Sequence, residues 1–247
     1  MSGKRTAHER FPEVIAAAVR VFTRDGYRAA RMSDVARAAG LSEAALYRYV
    51  ESKEALFVLA IRHALLLEDM PAERTPAEDA SEHFPLKPPS LAQMIGQVRE
   101  FVAVEVPFGS LAEALDRPIP DDPAVELETV LRELFTLETQ TREAADMIER
   151  SARELPELAD LLNSGLRRPV LAALAEYLDS RASSGTLRTT PDTAATARLV
   201  LETLTWFARH RHGDPYGAAI PDTLAADTAT DALIHALVPA KFLGGRP

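Results

Sequence analysis

The chain has 247 residues, of which 47% are hydrophobic and 26% charged, as in an ordinary globular protein with a sizeable core. It contains no cysteine, which excludes disulfide bonds and cysteine-ligated zinc. No apolar run approaches the roughly 18 residues of a membrane helix. The basic segment at residues 1–5 leads into polar residues rather than the apolar stretch of a signal peptide, so we expect a cytoplasmic protein.

The charge is unevenly distributed along the chain. Residues 1–63 contain 11 basic and 7 acidic side chains, whereas the other 184 residues contain 17 basic and 30 acidic ones. A basic segment followed by an acidic body is typical of a protein that contacts phosphate at one end only. Imbalances of this size also arise by chance, so the charge counts as evidence only together with a DNA-docking motif.

The first two predicted helices lie in the basic segment. Apolar residues spaced i, i+3, i+4 and i+7 predict a helix over residues 11–25. Its apolar face consists of Phe11, Val14, Ile15, Ala18, Val19 and Phe22. Pro12 is tolerated in its first turn, and Gly26 supplies a left-handed stop. Ser33 is the predicted N-cap of a second helix over residues 34–39, which Gly40 ends.

A third short helix follows after a tight turn. Ser42 is its predicted N-cap, only two residues beyond Gly40, and this spacing predicts a helix-turn-helix. A fourth helix begins at Ser52, with one apolar face formed by Phe57, Ala60, Ile61, Ala64 and Leu65. Residues 71–90 contain five prolines and predict a long loop.

The remaining sequence also has helical periodicity. Helices are predicted over residues 91–106, 125–150, 157–183, 192–210 and 223–243. The third of these is expected to bend near Pro169 and to end at Gly185, and Pro239 lies near the end of the last. Strand-like alternation is absent from the sequence, so the predicted fold class is all-α.

Residues 32–57 read MSDVARAAGLSEAALYRYVESKEALF. This segment resembles the signature of the TetR/AcrR transcriptional regulators, roughly T/S-x-x-x-I/V-A-x-x-A-G-V/L-S-x-x-x-L-Y-x-Y/H-F-x-S/N-K-e-x-L. The resemblance implies a three-helix DNA-binding head at residues 1–52, a connecting fourth helix at 53–70 and a helical ligand-binding and dimerisation domain at 71–247. Two positions depart from the pattern, because Glu43 is acidic where many members carry Lys, Pro or Gln, and Val50 replaces the usual Phe.

The residues of the motif divide into an inner and an outer set. Val35, Ala36, Leu41 and Leu46 are spaced to point inward. The predicted DNA-binding residues are Ser33, Ser42, Glu43, Ala44, Ala45, Tyr47, Arg48, Tyr49 and Lys53. Small side chains at 44 and 45 favour deep entry into a major groove about 12 Å wide. By resemblance, Tyr47 and Lys53 contact phosphate, while residues 43–45 and 48 read bases; the alternative for each is a solvated surface side chain.

Two further sets are predicted in the body of the protein. A ligand pocket is predicted from Met94, Phe101, Phe108, Phe135, Met147, Tyr177 and Trp206, for which the alternative is packing without a ligand. By resemblance, the last two helices form the interface of a homodimer. Its predicted residues are Leu199, Leu204, Phe207, Leu233, Leu237 and Phe242.

Other chemistry has little support in the sequence. His210, His212 and His235 are better explained as surface residues than as a metal site, because i and i+2 point to different sides of a helix. Four acidic residues could line a site for a cationic ligand, but a solvated helix face is the better explanation. They are Glu126, Glu128, Glu133 and Glu138. No phosphate-binding glycine loop or nucleophile elbow is present, so we expect neither an enzyme nor a cofactor.

The sequence therefore favours a DNA-binding regulator, most simply a repressor that binds a palindromic operator as a dimer and releases it when a small molecule binds. A sequence-tolerant architectural DNA-binding protein is the alternative, although the acidic body disfavours it because non-specific binding needs many phosphate contacts. A helical enzyme that uses the head only for localisation is a third hypothesis.

Overall fold

The computed structural model describes residues 7–65, 84–104, 109–117 and 119–244, with the side chains of 101–104 left aside. These residues form helices and no strand, which confirms the all-α prediction. The helices are α1 (Ala7–Ala29), α2 (Met32–Ala38), α3 (Glu43–Leu46), α4 (Lys53–Ala64), α5 (Leu91–Val104), α6 (Gly109–Asp116), α7 (Pro123–Gln140), α8 (Arg142–Ala152), α9 (Pro156–Asp160), α10 (Arg168–Ser183), α11 (Thr193–Ala208) and α12 (Asp222–Leu237).

The chain folds as two compact units. The first unit comprises residues 1–101 and 143–165, and the second comprises residues 102–142 and 166–247. The first unit therefore contains α1–α4, α9 and most of α5 and α8, and it is not a continuous piece of sequence. The domain boundaries proposed from the sequence, at residues 52 and 70, follow chain order and stay a prediction.

The core of the first unit forms where α1 packs on α2 and α4. The predicted apolar face of α1 is buried except for Phe11, which is partly exposed. The rings of Phe22 and Phe57 meet edge to face with centroids 4.9 Å apart, and the Tyr27 ring lies 4.8 Å from that of Phe57. Large aromatic side chains thus join the first helix to the fourth.

Gly26 interrupts α1. Its φ of 76° confirms the predicted left-handed position, and its ψ of 175° makes a sharp kink, after which one further helical turn runs to Ala29. A Cβ added at Gly26 would lie 3.2 Å from Cγ of Arg150 on α8. Both the backbone conformation and the close approach of α8 therefore require glycine here.

The second unit has its own core. It forms among α6, α7, α10, α11 and α12, and its buried side chains include Leu127, Leu131, Leu174, Val200 and Leu204. Apolar faces on five helices thus share one continuous core.

Three helix predictions need correction. The helix predicted over 125–150 is two helices, α7 and α8, separated at Thr141. The backbone leaves the helical conformation at Thr141, which has φ of −92° and ψ of 8°. The last helix ends at Leu237 rather than 243, because the residue before Pro239 is extended, with ψ of 130° at Val238. The third correction is α6, which was not predicted.

The predicted bend near Pro169 takes the form of a π-helical segment, Leu161–Arg167, between α9 and α10. Gly185 then follows α10 with φ of 71°, as predicted for its end. Most of the proline-rich loop and the distal part of the predicted connecting helix, residues 66–83, lie outside the described residues. The described part of the loop, residues 84–90, is not helical.

Candidate nucleic-acid interface

The third helix is short and held from both ends. Ser42 is its N-cap, as predicted, with Oγ accepting the amide of Ala45 at 3.2 Å. Leu46 is completely buried and anchors the helix to the first unit. The residues between them, Glu43 and Ala44, are exposed, so α3 presents a narrow surface of small side chains to solvent.

Most of the predicted DNA-binding residues do lie at the surface. The exposed ones are Ser42, Glu43, Ala44, Tyr47 and Arg48, and the partly exposed ones are Ser33, Ala45 and Lys53. Tyr47 is 43% exposed although it is a large aromatic residue. The Tyr47 hydroxyl and the Arg48 guanidinium are two neighbouring groups that can donate hydrogen bonds to phosphate or base edges.

Tyr49 does not lie on the outer surface, and that part of the prediction is wrong. Its side chain is only 5% exposed, and its ring is stacked 6.4 Å from Phe11 and edge-on 5.3 Å from Phe84. Its carbonyl also accepts the amide of Leu86 at 2.8 Å. The tyrosine turns inward because residues from the proline-rich loop supply an aromatic partner that the local spacing does not reveal.

The predicted cap at Ser33 is also wrong. Helix α2 begins at Met32, two residues earlier than predicted, and the residue in the N-cap position is Arg31, which makes no side-chain capping bond. Ser33 therefore lies in the first turn. Asp34 in the same turn accepts a hydrogen bond from Arg37 at 3.0 Å, and its charge favours the helix N-terminus.

Lys53 lies at the first position of α4, directly after the N-cap Ser52, whose Oγ accepts the amide of Ala55 at 3.0 Å. The Lys53 ammonium donates to the carbonyl of Arg28 at 3.1 Å and lies 4.8 Å from the ring centroid of Tyr27. Partial burial lowers the pKa of Lys53, and the nearby carboxylate of Glu154 opposes that shift. The cation is thus held in a fixed place at the end of α4.

The predicted ligand-pocket residues belong to different units. Met94 and Met147 are buried in the first unit, and Phe135 and Tyr177 are buried in the second. Trp206 is 39% exposed, while the side chains of Phe101 and Phe108 lie outside the described residues. This pocket stays a prediction.

A different group of residues lines an open cleft of about 300 Å³ in the second unit. They come from α6, the connection after it and the start of α7, and include Glu113, Arg117, Asp121, Val125 and Glu126. Of the predicted pocket residues, Tyr177 reaches a lining residue of this cleft, because its hydroxyl donates to Glu126 at 3.2 Å. Burial raises the pKa of Tyr177, which keeps it a neutral donor.

The predicted dimer residues divide into buried and exposed ones. Leu204, Leu233 and Leu237 are buried within the second unit itself, and Phe207 and Phe242 are partly buried. Leu199 is 62% exposed. Leu224 on α12, which is not among the predicted dimer residues, is 55% exposed.

The expected solvated helix face is wrong for Glu126 and Glu138, whose side chains are only 11% and 21% exposed. The acidic residues and His212 have structural partners. Each of the four glutamates bonds to a neighbour: Glu126 to Arg181, Glu128 to Arg132, Glu133 to the α6 N-terminus and Glu138 to Arg209. His212 contacts Arg142 at 2.5 Å. Within the described residues, no three acidic or histidine side chains are grouped as a metal site would need. In the same part of the chain no helix is long and apolar enough to cross a membrane.

The capped, outward-facing α3 and its tight connection to α2 through Gly40 define a helix-turn-helix unit within an all-α protein. Residues 14–60 match the sequence model of the bacterial regulatory proteins, tetR family. This segment, which covers α2, α3 and most of α1 and α4, is therefore similar to that family.

Solved structures share the fold at low sequence identity. A TetR-like transcriptional regulator from Rhodococcus sp. RHA1 is 19% identical over 98% of this chain and 100% of its own, with a TM-score of 0.53. A proposed TetR-family regulator from Mesorhizobium loti is 16% identical over 96% and 100%, with a TM-score of 0.50. A proposed fatty acid metabolism regulator from Clostridium perfringens is 15% identical over 92% and 99%, also at 0.50. No curated protein matches the sequence.

Proposed function

We propose that the protein is a sequence-specific transcriptional regulator, a ligand-responsive repressor that binds a palindromic operator as a homodimer. The observation that carries this proposal is the surface of α3, where a Ser42-capped N-terminus and small residues stand beside exposed Tyr47 and Arg48. Hydroxyl and guanidinium groups can donate to phosphate, and small side chains let the helix enter the major groove. A DNA-binding role places the protein in the cytoplasm.

The dimer is supported by apolar residues that the second unit leaves uncovered. Leu199 and Trp206 are seven residues apart on α11, two helical turns, and therefore lie on the same face; Leu224 is exposed on α12. A two-fold interface uses one such patch twice. Two heads related by this symmetry would read half-sites one DNA turn apart, about 34–36 Å or a multiple of it.

Regulation needs a ligand that distinguishes two conformations. We infer that a small molecule binds the second unit and favours a state whose heads no longer match the operator, which is a population shift that requires different affinities for the two states. Mass spectrometry of material extracted from the denatured, freshly purified protein would identify a bound molecule. Adding that compound back should weaken operator binding.

The DNA-binding role is tested by selecting binding sites from a random duplex library and then titrating the best site with salt. We expect an inverted repeat, and we expect Tyr47→Ala and Lys53→Ala to weaken binding without unfolding the protein. If Lys53 contacts phosphate, Lys53→Ala should reduce the slope of log K against log salt by about 1. Lys241→Ala removes the same charge from the second unit and should leave the slope unchanged.

Enrichment of no sequence, with equal affinity for unrelated duplexes, would contradict sequence-specific regulation and favour an architectural DNA-binding protein. Absence of any DNA binding at low salt would contradict both.

A further inference from the structure

The kink at Gly26 leaves two consecutive backbone amides without carbonyl partners inside α1. The amides of Tyr27 and Arg28 follow a glycine with non-helical torsion angles, so they begin a new helical turn, whose first amides have no acceptor within the helix. Both find acceptors near the end of α8, which lies in the same unit. The Tyr27 amide donates to Ser151 Oγ at 3.0 Å, and the Arg28 amide donates to Glu154 Oε2 at 2.9 Å.

The other side of Arg28 contacts Lys53. Its carbonyl accepts the Lys53 ammonium at 3.1 Å, and the ring of the preceding Tyr27 lies under the same cation. The backbone of Arg28 therefore connects two side chains, with Glu154 holding its amide and Lys53 bound to its carbonyl. The charge of Glu154 also acts on Lys53 directly, because it opposes the effect of burial on that group.

We propose that Glu154 is a positioning residue for DNA binding: it fixes the backbone of Arg28, and that backbone holds the Lys53 ammonium where it meets the DNA. This inference rests on the proposed DNA-binding function. A carboxylate within a DNA-binding head would by itself repel phosphate. The structure explains the presence of Glu154, because its carboxylate oxygen accepts a hydrogen bond from the Arg28 amide, which the Gly26 kink leaves without a partner in the helix.

Two substitutions separate the hydrogen bond from the charge. Glu154→Gln keeps an oxygen that accepts the Arg28 amide and removes the charge, so operator affinity should equal or exceed that of the wild type. Glu154→Ala removes the acceptor as well and should weaken binding on the order of tenfold. Glu157→Ala removes an exposed carboxylate three residues away and is the charge control.

A double-mutant cycle tests whether Glu154 affects DNA binding through Lys53. In the Lys53→Ala background, Glu154→Ala should change affinity by less than about twofold, because the residue it positions is already gone. A second readout needs no DNA: acetylation of Lys53, followed by mass spectrometry, should be faster in Glu154→Ala than in Glu154→Gln, because both variants lose the charge but only Gln keeps the acceptor.

The proposal is overturned if Ala and Gln both tighten binding, since Glu154 would then act only by repulsion. It is also overturned if Glu154→Ala weakens binding equally with and without Lys53, which would indicate a general loss of structure. If the wild type and Glu157→Ala bind no selected DNA, the proposed function fails; the acetylation rates then decide separately whether Glu154 positions Lys53.

Discussion

Arg181 and Glu126 form an ion pair in the interior of the second unit, with Arg181 Nε donating to Glu126 Oε1 at 2.6 Å. The Arg181 side chain is 1% exposed and that of Glu126 is 11% exposed. The guanidinium also donates to the carbonyls of Ala114 and Arg117 at the end of α6. Burial disfavours its charge, but the bond to Glu126 and the carboxylate charge outweigh that effect and raise the pKa of Arg181.

Breaking this pair should destabilise the protein strongly. Arg181→Met leaves the Glu126 carboxylate without its cation and removes the guanidinium donor from two helix-end carbonyls, so the free energy of unfolding should fall by about 3–5 kcal/mol. Urea unfolding measures the effect. Arg198→Met, which breaks an exposed i, i+4 pair with Glu202, is the matched control and should cost less than about 1 kcal/mol. Equal losses for the two variants would contradict the structural role of Arg181.

Gly26 and Gly40 should differ in how they tolerate alanine. Both have positive φ, 76° and 65°, but a Cβ at Gly26 meets Arg150 whereas one at Gly40 has no atom within 4 Å. Gly40→Ala should cost about 1–2 kcal/mol from backbone strain alone, and Gly26→Ala should cost more. Gly96→Ala, at an exposed position inside α5, should stabilise by about 0.5–1 kcal/mol. A smaller thermal shift for Gly26→Ala than for Gly40→Ala would refute the argument.

Glu138 should give the protein a specific dependence on pH. Burial raises the pKa of Glu138 above its ordinary value of 4.5, although Arg209 and Arg167 partly offset the shift. The folded state therefore binds this proton more tightly than the unfolded state. The stability from this group is complete below pH 4.5 and is lost as the pH rises through the raised pKa.

Unfolding free energies measured across that range test the sign. The difference between the wild type and Glu138→Gln should decrease with rising pH. Glu176→Gln, at an exposed carboxyl of the same unit, is the control. A difference that increases with pH would show that the arginines outweigh burial.

The dimer proposal predicts opposite outcomes for two leucines on α11. Leu199→Glu should give folded monomers, because Leu199 is 62% exposed, and should weaken binding to an inverted repeat although the head is unchanged. Leu204→Glu places a charge in the core of the second unit and should unfold it. Light scattering and circular dichroism separate the two results. A wild-type monomer at micromolar concentration that still binds a palindrome tightly would remove the dimer from the proposal.

Arg48 and Glu43 should determine which bases are preferred. Both are exposed on or just after α3, where side chains can reach base edges. Replacing either with alanine should change discrimination at particular operator positions by roughly 1–3 kcal/mol. The measurement is relative affinity across a library of single-base operator variants. A uniform loss across the library would instead assign them to the DNA backbone or to the fold.

The sequence by itself determined the helix-turn-helix, because each signal there is local. The serine cap at 42, glycine at positive φ and apolar spacing act over a few residues, and the structure confirms the cap, the glycines and most of the apolar positions. The same locality explains the failures. The non-helical backbone at Thr141 and Val238 ends helices where the apolar periodicity continues, and Tyr49 is buried by a ring from a distant loop.

Only the tertiary structure decided which residues meet across long separations. The side chains of Ser151 and Glu154 accept hydrogen bonds from backbone amides 124 and 126 residues earlier in the chain. Most of α8 therefore belongs to the first unit, although α7, which directly precedes it in sequence, belongs to the second. Leu199 and Leu204 look alike in a helical pattern, but the packing of α11 against α7, α10 and α12 buries Leu204 and leaves Leu199 exposed. Such contacts depend on how whole helices pack, and a pattern of single residues does not contain that information.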